Sequence, residues 1–335
     1  MSIQPKGERP MRETAGQLMA TVNTSQSKTS VKHRTALLMK TLTKYRWLYL
    51  MMVPSLAYFI IFQYIPLWNA QIAFKDFKPL LGVWRSPFTG FDHFVTFFES
   101  FYFKQLIENT LIISSLKLVL GIPVALILAL ALYETCFKRF RTVVQTIAYL
   151  PHFLSWVIMF GVLLMLLSPG DGLINEIIKA SGGKPIAFLT SPAWFRIVVI
   201  ASDIWKEMGW STIIFLAALL GIDTTLFEAA SVDGASRLQR IWYISLPGIL
   251  PVVAIVTILR MGHILNAGFN QIFVLYSLPV YSVGDIIDTW VYRQGILAFQ
   301  FSLATAVGLF KGAIGLVLVV VTNQAAKRLG GAGLF

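Results

Sequence analysis

Long apolar runs alternate with short polar ones along almost the whole chain, and the apolar runs are too long for soluble core helices. Stretches of about 20 apolar residues read as membrane-crossing helices. Six spans are predicted, over about 47–74, 105–133, 142–167, 196–220, 248–276 and 301–323. Pro54 and Pro66 fall in the first and Pro151 near the start of the third, positions that neighbours in a helical bundle tolerate. An even number of spans puts both termini on one side, with connections 75–104, 168–195 and 277–300 on the other. In the first connection Phe94, Phe97, Phe98 and Phe101 recur at helical spacing. They predict a short amphipathic helix that either anchors at the membrane interface or meets an extracytoplasmic partner.

Composition sharpens this into an all-α membrane protein. Hydrophobic residues make up 56% of 335, charged residues 13%, and the mean hydropathy is +0.69, which excludes a soluble globular domain. The net charge of +12 gathers beside the spans rather than along a groove, which argues against nucleic acid as a partner. Nine Lys and Arg precede residue 47, Lys138, Arg139 and Arg141 follow the second span, and Lys327-Arg328 follow the sixth. Positive charge resists translocation, so this face and both termini are expected in the cytoplasm. The expected organisation is a disordered basic tail over 1–40, a transmembrane domain over 41–329 and a short tail over 330–335. A single cysteine, Cys136, excludes an intrachain disulfide and any cysteine-rich metal site. His33, His93 and His152 have no second ligand at helical spacing, so no metal is expected.

One polar island, 221–247, separates the fourth and fifth spans and reads as a helix-turn-helix in water. Asp223 and Thr224 are amino-terminal caps, and Glu228 sits early, where the helix dipole favours an acid. Gly234 either ends the first helix with positive φ or admits another chain closely. Leu246-Pro247 is expected to launch the fifth span, with Pro in its first turn.

The island also carries a spaced pattern: Glu228-Ala229-Ala230, three residues, Gly234, nine residues, Ile244, one residue, Leu246-Pro247. It resembles the loop of the permeases of binding-protein-dependent ABC importers at every position. The resemblance extends over about 45–329. Asn109-Thr110, Leu150-Pro151 and Gly172-Leu173-Ile174-Asn175 are similar to the family. The stretches 269–275 and 285–293 are similar to its carbohydrate branch, the latter to polysaccharide and oligosaccharide permeases. Residues 1–40 lie outside the pattern.

The resemblance implies a six-span permease subunit, without catalysis of its own, in a bacterial inner membrane. Its implied partners are a second permease, two cytoplasmic ATPases and a periplasmic solute-binding protein, and its implied cargo is a saccharide such as alginate. ATP and Mg would bind the ATPases, and no cofactor this chain. The absence of a Gly-x4-Gly-Lys-Ser/Thr loop agrees with that division. In the family the island is a coupling helix seated in the ATPase. Carried over, Glu228 and Gly234 would make that seat and Ala229-Ala230 would allow close contact, with Ile244, Leu246 and Pro247 completing the motif.

Ionisable groups inside a membrane are costly and therefore candidates for function. Lys117, Arg260 and Lys311 fall near the middle of spans. On a continuous fifth helix Arg260, His263, Asn266, Asn270 and Gln271 occupy an arc of about 140°, a stripe suited to a sugar path or to packing on a partner. Ala304, Gly308, Lys311, Gly312 and Gly315 share a face of the sixth span that suits a tight seam. Asp203, Lys206 and Glu207 are expected to neutralise one another within one turn. With that turn set aside, bases outnumber acids, which favours an anionic cargo such as a uronate oligomer along Lys117, Arg260, His263, Asn266, Asn270 and Lys311. Two other classes compete. An ion-coupled secondary transporter would need an acid or a broken helix at the midplane and usually shows internal repeats, of which the sequence has none; a membrane enzyme would need a nucleophile–base pair or metal set, which the spans lack.

Overall fold

A computed structural model describes residues 44–328, so the expected tails over 1–40 and 330–335 lie outside the described residues. The chain divides into two compact units, one ending at Asn69 and the other beginning at Ala70. Twelve helices carry the description: α1 Arg46–Phe74, α2 Asp92–Phe98, α3 Phe103–Glu134, α4 Lys138–Phe153, α5 Trp156–Leu167, α6 Leu173–Ala180, α7 Pro192–Leu220, α8 Thr224–Val232, α9 Arg237–Gly262, α10 Phe269–Leu275, α11 Ile287–Tyr292 and α12 Phe301–Arg328. The β-structure described is an isolated antiparallel bridge between Lys75 and Phe88. Four helices, α1, α3, α9 and α12, are each long and apolar enough to cross a membrane. The number rises to six when the bent pairs α4–α5 and α7–α8 each count as one span.

Three predicted spans differ in form from the straight helices expected. The third is broken: α4 and α5 meet at 110°, through a 3-10 turn over Leu150–Phe153. Pro151 sits at the start of that turn, and Ser155 caps α5 by accepting from the Ile158 N–H, so proline and cap together impose the corner. The fifth begins at Arg237, well before Gly248. A capping box nucleates it there, with Ser236 accepting from the Gln239 N–H and the Gln239 side chain from the Ser236 N–H. Pro247 therefore lies inside the helix, not in its first turn. A π turn over Ile241–Ser245 runs directly into Leu246-Pro247, and a second over Ile60–Tyr64 runs into Ile65-Pro66. In both places the widened turn absorbs a carbonyl that proline leaves without a donor. Finally, the fifth span stops at Gly262 and resumes at Phe269.

Within the second unit, small residues let helices approach. Ala125 and Ala129 of α3 pack on Phe215, Leu216 and Leu219 of α7, with Ile249 of α9 closing the cluster. A β-carbon at Gly209 would lie 2.0 Å from the Ala148 carbonyl oxygen, so α7 lays bare backbone on α4. The expected short helix forms as α2, ending before Phe101. Phe97 is buried against Phe103, Trp290 and Phe310, tying α2 into its own bundle, while Phe98 and Phe101 remain exposed.

The family-like motif residues hold loops to helices. Asn109 donates to the carbonyls of Ser282 and Asp285 and accepts from Arg196, while Thr110 Oγ1 accepts from the Ile287 N–H. Asn175 binds Leu167, Ser168 and Ile186. Asp285, 1% exposed, pairs with Arg293 at 2.5 Å and accepts from Thr289. Each buried amide or carboxylate is thereby satisfied, as its burial demands.

Candidate functional site: a helical island and a buried polar cluster

The island is built by local chemistry. The Asp223 carboxylate accepts from the Thr225 N–H at 2.9 Å and starts α8. Hydrogen bonds from the Thr225 backbone and side chain hold the Asp223 carboxyl below the usual range. At the other end Ala235 N–H donates to the Ala230 carbonyl and Gly234 N–H to that of Ser231, a Schellman closure with Gly234 at φ +75°. Of the two readings of Gly234, the geometry displays the helix stop. A β-carbon there would meet nothing within 4 Å, so the space around it is open. Glu228, Ala229, Gly234 and Pro247 are exposed, whereas Ala230, Ile244 and Leu246 are half-buried. Leu226, Val232 and Leu238 stand exposed beside them, an apolar surface on an otherwise polar segment.

A second constellation lies where the fifth span breaks. Ala267 at φ +47° and Gly268 at φ +83° form two successive left-handed residues. Lys117 of α3 reaches them: its Nζ donates to the Ala267 carbonyl at 3.1 Å and to the Gln271 amide oxygen, and pairs with Asp203 of α7 at 3.0 Å. Gln271 in turn donates to the Val199 carbonyl at 2.7 Å and to Ser202 Oγ at 2.9 Å. A cavity of about 180 Å³ opens beside this knot, lined by Ser114, Lys117, Asp203, Arg260, His263 and Gly268 among others. Arg260 donates to Ser211 Oγ at 2.6 Å. Ser114 Oγ is buried without a hydrogen-bond partner among the described residues.

These contacts correct three sequence expectations. Arg260, His263, Asn266, Asn270 and Gln271 are not one stripe, because the left-handed pair at Ala267 and Gly268 resets the helical phase. Arg260 and His263 line the cavity; Asn266 and Asn270 are exposed outside its lining, and Gln271 is fully buried. The Asp203–Lys206–Glu207 turn is not self-neutralising. Asp203 serves Lys117, and Glu207 meets His152 at 3.1 Å, with that ring stacked on Trp210. Lys206 is drawn to the Pro151, His152 and Leu154 carbonyls at the corner of the broken third span, retaining only a 4.0 Å approach to Glu207. The surplus of mid-span bases also shrinks, since Lys117 has Asp203 and Lys311 has Asp288 at 2.5 Å.

The small-residue seam on α12 closes only in part. A β-carbon at Gly315 would approach the Gly262 carbonyl to 3.3 Å, whereas Gly308 and Gly312 have nothing within 4 Å. Asp288 and Ser114 join the candidate set only through the structure. The carboxylate of Asp288 sits in a stretch read for its family likeness, not for charge, and no local signal marks Ser114.

A multi-pass helical membrane protein with an exposed helical island between two spans, and broken helices around a polar cavity, is a transport subunit by architecture. The chain belongs to the family of binding-protein-dependent transport system inner membrane components, which residues 121–330 match. It is 43% identical over 297 residues to Protein LplB of Bacillus subtilis (strain 168), covering 89% of this chain and 93% of that protein. It is 44% identical over 302 residues to the polygalacturonan/rhamnogalacturonan transport system permease protein YteP of the same organism, covering 90% and 94%. Its fold matches a crystal structure of a bacterial ABC transporter involved in the import of the acidic polysaccharide alginate, with TM-score 0.81 and 42% identity, covering 87% of this chain and 98% of that one. This chain is accordingly a non-catalytic inner-membrane permease subunit of an ABC importer. The ion-coupled alternative finds no support in these likenesses.

Proposed function

We propose that this subunit, paired with a second permease and driven by two cytoplasmic ATPases, imports an acidic oligo- or polysaccharide, alginate being one candidate, delivered by a periplasmic binding protein. ATP and Mg belong to the ATPases. The island over 221–247, carrying Glu228, Ala229, Ala230, Gly234, Ile244, Leu246 and Pro247, is the coupling element, and both termini share its cytoplasmic side. Closure of the ATPases moves the islands, and the spans swing the cavity from one side of the membrane to the other.

The observation that carries the choice of an acidic cargo is the state of Arg260. Of the Lys and Arg side chains lining the cavity, Lys117 is matched by Asp203, and Arg260 has only a serine hydroxyl among the described residues. A guanidinium with spare donors in a confined site suits a carboxylate. Beside it, the unpaired Ser114 hydroxyl and the exposed His263 offer partners for sugar hydroxyls. The likeness to importers of alginate and polygalacturonan points the same way.

The test compares uptake of a uronate oligomer with that of its uncharged methyl ester by the reconstituted importer. Arg260→Met should weaken uptake of the acid by roughly 10- to 100-fold, the value of a charge-assisted hydrogen bond, and change the ester far less. Equal loss for both would overturn the acidic-cargo reading.

A further inference from the structure

We propose that Lys117 and Asp203 form a brace that holds α3, α7 and the break between α9 and α10 as one moving body, positioning Arg260 and His263 without touching the cargo themselves. The assignment of Arg260 and His263 to the cargo path rests on the function proposed above; the brace itself stands on geometry.

The lysine is committed in every direction. It is 8% exposed, and its three donors have three acceptors on two other segments: the Ala267 carbonyl, the Gln271 amide and the Asp203 carboxylate. An ammonium has three donors and no acceptor, so nothing is left over for a sugar. The acceptors are informative too. Ala267 is a non-glycine residue held at φ +47°, a conformation that persists only where its surroundings fix it. Lys117 binds its carbonyl, and Gln271, three residues past Gly268, is bound on both sides, by Lys117 and by α7. The site has no room to spare: a β-carbon at Gly268 would fall 2.6 Å from Lys117 Nζ. Three spans thus share one charge pair. Opening it on one side would strand a buried charge, a large penalty, so these spans travel together during the transport cycle, and relative motion falls elsewhere.

Hydrogen exchange of the complete importer in detergent tests this, read over residues 262–276 in wild type, Lys117→Met, Asp203→Asn and Lys117→Arg. Uptake kinetics of a uronate oligomer are measured in parallel. The brace predicts that the Met and Asn variants lose protection across the break by at least about tenfold, with exchange in α12 unchanged and partial recovery in Lys117→Arg. It also predicts a fall in kcat of about tenfold or more with KM within about twofold, since a positioning group acts on the step and not on cargo binding. Wild-type protection in Lys117→Met, or a rise in KM at unchanged kcat, would overturn the proposal and make Lys117 a cargo contact. Should the single variants fail to copurify with their partners, Lys117→Met/Asp203→Leu removes both charges at once, which buried pairs often tolerate. The brace predicts that this double variant assembles and still exchanges fast at the break; wild-type protection in it would overturn the proposal. Exchange is read without cargo, so a wild-type importer that moves no saccharide would sink the functional reading and leave the exchange result standing.

Discussion

The island around Gly234 and the knot around Lys117 are both polar structures in an apolar chain, yet they are held by opposite means. The island closes on itself: Asp223 caps its start, Gly234 turns its end, and a capping box opens the next helix, all within 17 residues of sequence, 223–239. Most of its residues are exposed, so each bond is worth little alone. The knot gathers residues 117, 203, 267 and 271 from three segments of the chain and buries all of them but Asp203, which is half-buried. There a polar group must be fully matched, and loss of one partner harms the rest. Docking surfaces can therefore be altered at modest cost in stability, whereas the knot tolerates little.

The largest expected effect comes from cutting the knot. Gln271→Leu removes the amide that joins Lys117 to α7, and should cost roughly 2–4 kcal/mol. It would show as a lowered midpoint in thermal unfolding of the purified importer. An unchanged midpoint would mean that water or a neighbour replaces the amide. Gly234→Trp should do less to the fold. Its left-handed φ imposes about 1–2 kcal/mol of local strain, and a β-carbon there meets nothing within 4 Å among the described residues. Its main effect is expected in trans, as loss of copurifying ATPase and of ATP-linked uptake with the spans intact. Normal transport would refute the island as the coupling element. The smallest effect concerns pH. The folded carboxyl of Asp223 is depressed by bonds from Thr225, so the cap is present above the unfolded carboxylate pKa, about 3.9, and is lost as pH falls through the lower folded value. Amide protection over 224–228 should weaken in that acid window in wild type and stay flat in Asp223→Asn.

What was legible in the chain follows the same division. Asp223 and Gly234 announce their roles because a cap and a helix stop are settled within a few residues. The Ser236–Gln239 capping box is equally local and marks the true start of α9, ten residues before Leu246-Pro247. The helical phase through 260–271 could not be read, because what stabilises a left-handed Ala267 is an ammonium 150 positions away in the chain. The local triplet at Asp203, Lys206 and Glu207 misled for a related reason. Short-range pairing is the default on a helix only until a broken neighbour offers carbonyls at its corner, as the third span does to Lys206.

The early start of α9 has a mechanical consequence. From Arg237 to Gly262 the helix is 26 residues without a break, with one end in the island and the other at the cavity. At 1.5 Å per residue it is a lever arm of about 39 Å, so a tilt of about 10° at the Arg237 end sweeps Arg260 through roughly 6 Å. A small rotation at the island end is thus geared up to a displacement about as long as a sugar ring, and the π turn over Ile241–Ser245 with Pro247 and Pro251 marks where along the shaft a bend would take some of it up.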